Sequence, residues 1–249
     1  MEKLLAGGIV VLVFALVAWG TPVLGANIDF EFNVDGVLPS AQGATYFTSP
    51  GAGVSESAVF STSGGLLTQN LGGFGANAAV YGVDGFDHAL HATLEWRVRL
   101  SPTSLGNTAI ELSDNAGSGQ NWSFFLFPTG VSLYPAVSTP IVSLDTTDAL
   151  HTYRAEIPAN SLSFELFIDG ISRFTGVSPI AFGQIALVWG DVSTNDTDTF
   201  AQWDFVRLTH QVPNPAVPEP SSLILLGGGL AGLLVAARLW KRRAAYPSA

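Results

Sequence analysis

The chain has no cysteine in 249 residues and a single methionine. That excludes disulfide scaffolds, cysteine-ligated zinc, iron–sulfur clusters and thiol chemistry. Charge is also scarce: 12% of residues are charged, with 20 acidic against 10 basic side chains and a formal net charge of −10. A nucleic-acid binder needs a basic surface for phosphates, so no nucleic acid is expected as a partner. No internal repeat of roughly 20–50 residues is present, which excludes a solenoid or a propeller. The mean hydropathy of +0.36 is high for a soluble domain and low for a polytopic membrane protein. It implies a soluble body joined to a few strongly apolar segments.

Both apolar segments lie at the ends. Met1-Glu2-Lys3 precedes an apolar run from Leu4 to Trp19, followed by Thr21-Pro22-Val23-Leu24-Gly25-Ala26. One positive charge, an apolar stretch and small residues make a signal peptide over 1–26, cut after Ala26 or Gly25 and handled by the Sec translocon. The competing reading is an uncleaved membrane anchor. At the other end, Pro218-Glu219-Pro220 closes a Pro-rich linker over 211–220. Residues 221–240 come next as an apolar, Gly-rich transmembrane helix, ~30 Å long and enough to span the hydrocarbon core. Arg238 lies near its end, and Lys241, Arg242 and Arg243 open a basic tail over 241–249. Those four cations place the C-terminus in the cytoplasm and the body on the outer side of the inner membrane.

This order of Pro-Glu-Pro, Gly-rich apolar helix and basic cluster resembles the PEP-CTERM sorting signal of Gram-negative, exopolysaccharide-producing bacteria. The resemblance implies that an exosortase recognises Pro218, Glu219 and Pro220, cleaves nearby, and releases or re-attaches the protein. A plain single-span anchor with a Pro-rich stem is the alternative.

The body, 27–210, is long enough for one substantial core. Leu94, Trp96, Val98 and Leu100 alternate with Glu95, Arg97 and Arg99, a half-buried strand. Ser163–Ile168 meets Asp169-Gly170, a two-residue hairpin signal, and Ile171–Phe174 returns. Further strands are expected at 122–127, 131–134, 152–157, 184–189 and 203–208, and no window has a helical period. The fold class is an all-β antiparallel sandwich. Phe30–Pro39, His151–Ile157 with the hairpin after it, and Trp203–Leu208 occur in the order typical of the concanavalin A-like, laminin-G-like jelly roll. The body resembles that fold, with immunoglobulin-like sandwiches as the competitor.

Folds of this kind include glycosidases, lectins and passive modules, so the sites must decide. The laminarinase-type cluster of acidic residues on one strand has no match here. Glu31, Glu56, Glu95, Glu111, Glu156 and Glu165 are isolated in sequence, and no enzyme activity is expected. His88 and His91 near Asp84 and Asp87 invite a metal reading, but the stretch reads as a turn with surface histidines. The acidic loop holding Asp191, Asn195, Asp196 and Asp198 offers oxygen ligands for calcium, against a merely solvated turn. Asp169 reads as a turn former. Trp122 and Tyr134 beside the polar loop 113–121, and Trp189 beside the acidic loop, are the candidates for stacking on sugar rings. Core packing competes for Trp122 and Trp189, and Trp96 and Trp203 read as core. Asn121-Trp122-Ser123 and Asn195-Asp196-Thr197 match the glycosylation pattern, which the bacterial setting implied by the tail leaves unused.

The leading expectation is an exported, surface or matrix protein whose sandwich binds extracellular polysaccharide or builds structure. An extracellular polysaccharide hydrolase or lyase is the first alternative. A structural or adhesive module without a sugar site is the second. With the ends set aside, the body holds 18 acidic side chains against five arginines and no lysine, a net of −13. Long-range attraction to an anionic polysaccharide is therefore not expected.

Overall fold

The structure is a computed structural model that describes residues 27–48, 53–73, 78–104, 108–113, 120–136, 139–178, 180–181, 187–192 and 199–211. The signal peptide, the linker with Pro218, Glu219 and Pro220, the apolar segment 221–240, and Arg238, Lys241, Arg242 and Arg243 lie outside the described residues. Among the described residues no helix is long and apolar enough to cross a membrane. The chain divides into two compact units, 1–212 and 213–249, and the described strands lie in the first.

Its elements in chain order begin with β1 (Ile28–Glu31), β2 (Thr45–Thr48), the one-turn α1 (Glu56–Val59), β3 (Phe60–Ser63), β4 (Leu66–Asn70) and β5 (Ala79–Val83). The long β6 (His91–Leu100) is followed by β7 (Thr108–Ser113), β8 (Gln120–Phe127), β9 (Gly130–Leu133) and β10 (Pro140–Ser143). Then come β11 (His151–Ile157), β12 (Ser163–Ile168), β13 (Ile171–Val177), β14 (Ile180–Ala181), β15 (Leu187–Asp191) and β16 (Phe200–Gln211). Sheet A runs β13-β12-β11-β6-β16-β4-β3, with β1 also paired to β16. Sheet B runs β10-β9-β8-β7-β15-β5-β2, with β14 paired to β8. Every pairing among the described strands is antiparallel.

The alternation of β6 does what its sequence requires. Leu94, Trp96, Val98 and Leu100 are buried, and Glu95, Arg97 and Arg99 face outward. Aromatic pairs join the two sheets: Phe30–Trp189 at 5.0 Å between ring centroids, Trp96–Phe124 at 5.5 Å, Phe60–Tyr81 at 4.6 Å and Phe124–Phe164 at 5.3 Å. Each such pair adds about 0.5–1.5 kcal/mol beyond the area it buries. The Asp169-Gly170 turn has positive φ at both residues, +52° and +77°, as a type I′ hairpin demands.

Strand β16 reaches further than its sequence signal, from 200 to 211, and it is bulged. Its register with β6 shifts between Trp203 and Phe205. Ala201 and Trp203 point inward before the shift, and Val206 and Leu208 after it. The extra residue, Asp204, holds Arg97 by an ion pair at 2.8 Å. A bulge is the device that lets one strand change phase without leaving the sheet.

Candidate functional site

Registers place the outward residues of sheet B in rows that cross several strands. One row runs Ser123 (β8), Glu111 (β7), Val188 (β15), Gly82 (β5), Thr45 (β2). The next runs Ser132, Phe125, Ala109, Gly190, Val80, Phe47. Gly82, Ala109 and Gly190 are the small residues in the middle of this face, among Glu111, Val188 and Val80. Gly190 has φ +133°, and a Cβ there would sit 2.6 Å from the Ala79 carbonyl oxygen. Only glycine fits there, close against the backbone of β5.

Glu111 is the polar centre of the face. It is half-buried, between the inward Ile110 and Leu112. Burial pushes its carboxyl up to about 7, while a hydrogen bond with Ser123 pulls it back. Ser123 Oγ also donates to Asn121 Oδ1 at 2.6 Å. The Ser123 hydroxyl thus lies between the Asn121 amide and the Glu111 carboxyl. The neighbours of Glu111 on its own strand and face are Ala109 and Ser113, neither of them acidic. A retaining glycosidase pair would need two carboxyls ~5–5.5 Å apart. At the rim, Tyr134 stacks on Phe125 with centroids 6.1 Å apart and 27° between planes. The Tyr134 N–H donates to the Ser123 carbonyl at 3.1 Å. The face therefore combines a tunable carboxyl, a hydroxyl–amide pair and an aromatic rim.

Of the three aromatics expected to stack on sugars, the structure brings only Tyr134 to this face. Trp122 and Trp189 are corrections: both occupy inward positions of their strands and are fully buried. The Trp122 indole N–H donates to the Leu162 carbonyl at 3.2 Å and its ring packs edge-on against Phe86. Trp189 packs between Phe30 and Tyr81. Neither can offer a ring face to a ligand.

Asp191 is not a solvated loop residue either. It sits fully buried at the end of β15, where a chain of hydrogen bonds reaches it through the core. The Trp203 Nε1–H donates to Gln69 Oε1 at 3.1 Å and Gln69 Nε2 donates to Thr199 Oγ1 at 2.9 Å. Thr199 Oγ1 then donates to Asp191 Oδ2 at 2.6 Å. Asn195, Asp196 and Asp198, named with it for calcium, lie outside the described residues. Among the described residues no three His, Asp or Glu side chains gather as a metal centre. His88 meets the Ser161 carbonyl at 3.2 Å and lies against Trp122, while Asp87 Oδ1 accepts the Ala89 N–H in a turn. Burial pushes the Asp84 carboxyl up.

Asp169 is a turn former, and it does a second thing that the hairpin signal does not state. Its carboxylate binds His151 Nδ1 and the Thr152 N–H. Glu111 is the site residue that sequence reasoning misses, because nothing in the pattern marks its strand.

No curated protein matches the chain in sequence. Among solved structures, a Bacillus licheniformis beta-glucanase superposes with a TM-score of 0.50 at 14% identity, over 75% of this chain and 99% of that one. A Crh5 transglycosylase in complex with NAG superposes with a TM-score of 0.52 at 13% identity, over 77% of this chain and 87% of that one. At such identities the likeness shows the fold alone: a concanavalin A-like jelly roll. The terminal segment is specific where the body is not. Residues 216–243 match the PEP-CTERM protein-sorting motif, which implies export, a membrane-anchored precursor and processing by an exosortase.

Proposed function

We propose that the sandwich is a carbohydrate-binding module of the extracellular polysaccharide matrix, delivered there by exosortase processing, and that the outer face of sheet B is its binding surface. The observation that carries this reading is the row Ser123–Glu111 beside the stacked Tyr134–Phe125 pair. Sugar recognition asks for hydroxyl and carboxyl partners next to an aromatic ring. Ser123 and Phe125 are themselves buried, so half-buried Glu111 and Tyr134 are the groups of this row that a sugar would reach.

The reading is tested with the full-length chain in detergent on a glycan array, with and without calcium. Binding of neutral oligosaccharides that Tyr134→Ala weakens at least tenfold supports it. No binding in either condition, or binding indifferent to Tyr134, overturns it.

A hydrolase or lyase is the second reading, and the elevated Glu111 carboxyl is the observation on its side, since a general acid works best with a pKa near the operating pH. Release of new reducing ends or unsaturated sugars, abolished by Glu111→Gln, would favour it.

A further inference from the structure

A second polar feature lies on sheet A, on the opposite side of the core. A groove of about 420 Å³ opens there over the meeting of β4, β16 and β6, within the range of small-ligand sites. Its floor is a row in register across three strands. Thr68 on β4 pairs with Gln202 on β16, and Gln202 pairs with Arg99 on β6. All three alternate with inward residues, so their side chains stand on the outer surface. The row spans ~10 Å at the usual strand spacing. Asn70 pairs with Phe200 one row along, and Thr147 closes a side.

The charge of this groove is unlike that of the rest of the body. Its lining has no Asp or Glu. Four of the five body arginines face a carboxylate: Arg97 holds Asp204, Arg154 holds Glu156, Arg207 holds Asp29 and Glu31, and Arg173 faces Asp169. Among the described residues Arg99 meets no carboxylate, and its guanidinium donates to Gln202 Oε1 alone. In a body of net charge −13, carboxylates are not in short supply. A half-buried arginine left among neutral hydroxyl and amide groups is a fork for an anion supplied from outside.

We propose that this groove is a binding site for an acidic sugar, with Arg99 gripping the carboxylate of a uronic acid. Thr68, Asn70 and Gln202 meet its hydroxyls, and Phe200 supplies an apolar wall. The abundance of neutral hydrogen-bonding side chains around a single cation fits a polyhydroxylated anion better than an acidic peptide. The site stands apart from Glu111 and does not depend on the outer face of sheet B. It also gives the acidic body a local means of holding an anion that its overall field repels.

The test is equilibrium titration of the full-length chain in detergent with tetragalacturonate, with its methyl ester and with short polyglutamate. The expected result is binding of tetragalacturonate, weakened at least tenfold by methyl esterification and at least tenfold by Arg99→Gln. Arg154→Gln, which removes a paired arginine elsewhere on the sheet, leaves binding within twofold. Thermal unfolding checks that each variant is folded; if Arg99→Gln is not, Arg99→Lys serves, and loses affinity because a point charge cannot bind in a fork. No binding, equal binding of the ester or of polyglutamate, or undiminished binding by the folded Arg99 variant overturns the proposal.

Discussion

His151 Nδ1 lies 2.7 Å from Asp169 Oδ2, and the same ring meets Asp148 Oδ1 through Nε2 at 2.8 Å. Both ring nitrogens can donate only when the imidazole is charged. The contact ties the start of β11 to the β12–β13 turn and to the loop before β11.

Burial works against that charge, but the hydrogen bonds to Asp169 and Asp148 outweigh it and raise His151 above its ordinary value. A raised histidine contributes stability that is complete below its unfolded pKa, ~6.5, and is lost as pH rises through the folded one. Despite some burial, the hydrogen bonds with His151 and Thr152 lower the Asp169 carboxyl, so its share is present above the ordinary Asp range and is lost in acid. Melting temperature is therefore expected to fall between pH 6 and pH 8, and His151→Gln to flatten that slope. At pH 5.5 the substitution should cost about 1–2 kcal/mol, the scale of a charge-assisted hydrogen bond. A slope between pH 7 and pH 8 that His151→Gln leaves unchanged would place it elsewhere.

Glu111 predicts the opposite experiment. Its carboxyl is raised to about 7 from 4.5, so the folded state holds a proton that the unfolded state releases. Stability then declines from about pH 4.5 to pH 7 and levels off. Glu111→Gln should gain on the order of 1–3 kcal/mol at pH 8, and change little at pH 4. Urea unfolding at the two pH values decides, and an equal effect at both would contradict the buried carboxyl.

The hydrogen-bond chain from Trp203 through Gln69 and Thr199 to Asp191 is closed at each described link. Thr199→Val takes one donor from a buried carboxylate and one acceptor from Gln69. The expected cost is about 2–3 kcal/mol. Thr209, whose hydroxyl reaches the Thr93 carbonyl from an exposed position at 3.4 Å, serves as the comparison. Thr209→Val should change stability by less than about 0.5 kcal/mol. Equal losses would mean that the buried chain adds nothing.

The sorting motif predicts a change of fate without a change of fold. Replacing Pro218, Glu219 and Pro220 by alanines should leave an uncleaved precursor in the inner-membrane fraction, seen as a larger band on immunoblotting. Normal processing of that variant would contradict exosortase recognition at this motif.

The legibility of each strand in the sequence depends on which of its faces are buried. Strand β6 shows one face to the core and one to solvent, so Leu94, Trp96, Val98 and Leu100 stand out against three charged neighbours. The Asp169-Gly170 turn is equally plain, because few pairs of residues accept positive φ in succession. Sheet B reads differently. On β7, Ala109 and Ser113 are as buried as Ile110 and Leu112, so no alternation marks the strand or singles out Glu111. On β8, Phe125 is buried on the outer face much as Trp122, Phe124 and Leu126 are on the inner. Pattern alone does not say which aromatic looks outward, and the polar loop beside Trp122 points to the wrong one. The Arg99 row needs β4, β6 and β16 side by side, a relationship between residues more than 100 positions apart. Local sequence carries no trace of it.

Sugar binding on the outer face of sheet B is tested most directly by hydrogen exchange of the full-length chain. The probe is a neutral oligosaccharide chosen from the array, compared at saturation with the free protein. Exchange is predicted to slow in β7, β8 and the segment around Tyr134, and not to slow in a Tyr134→Ala variant under the same conditions. Protection confined to sheet A, or no protection at saturation, would contradict a sugar site on this face.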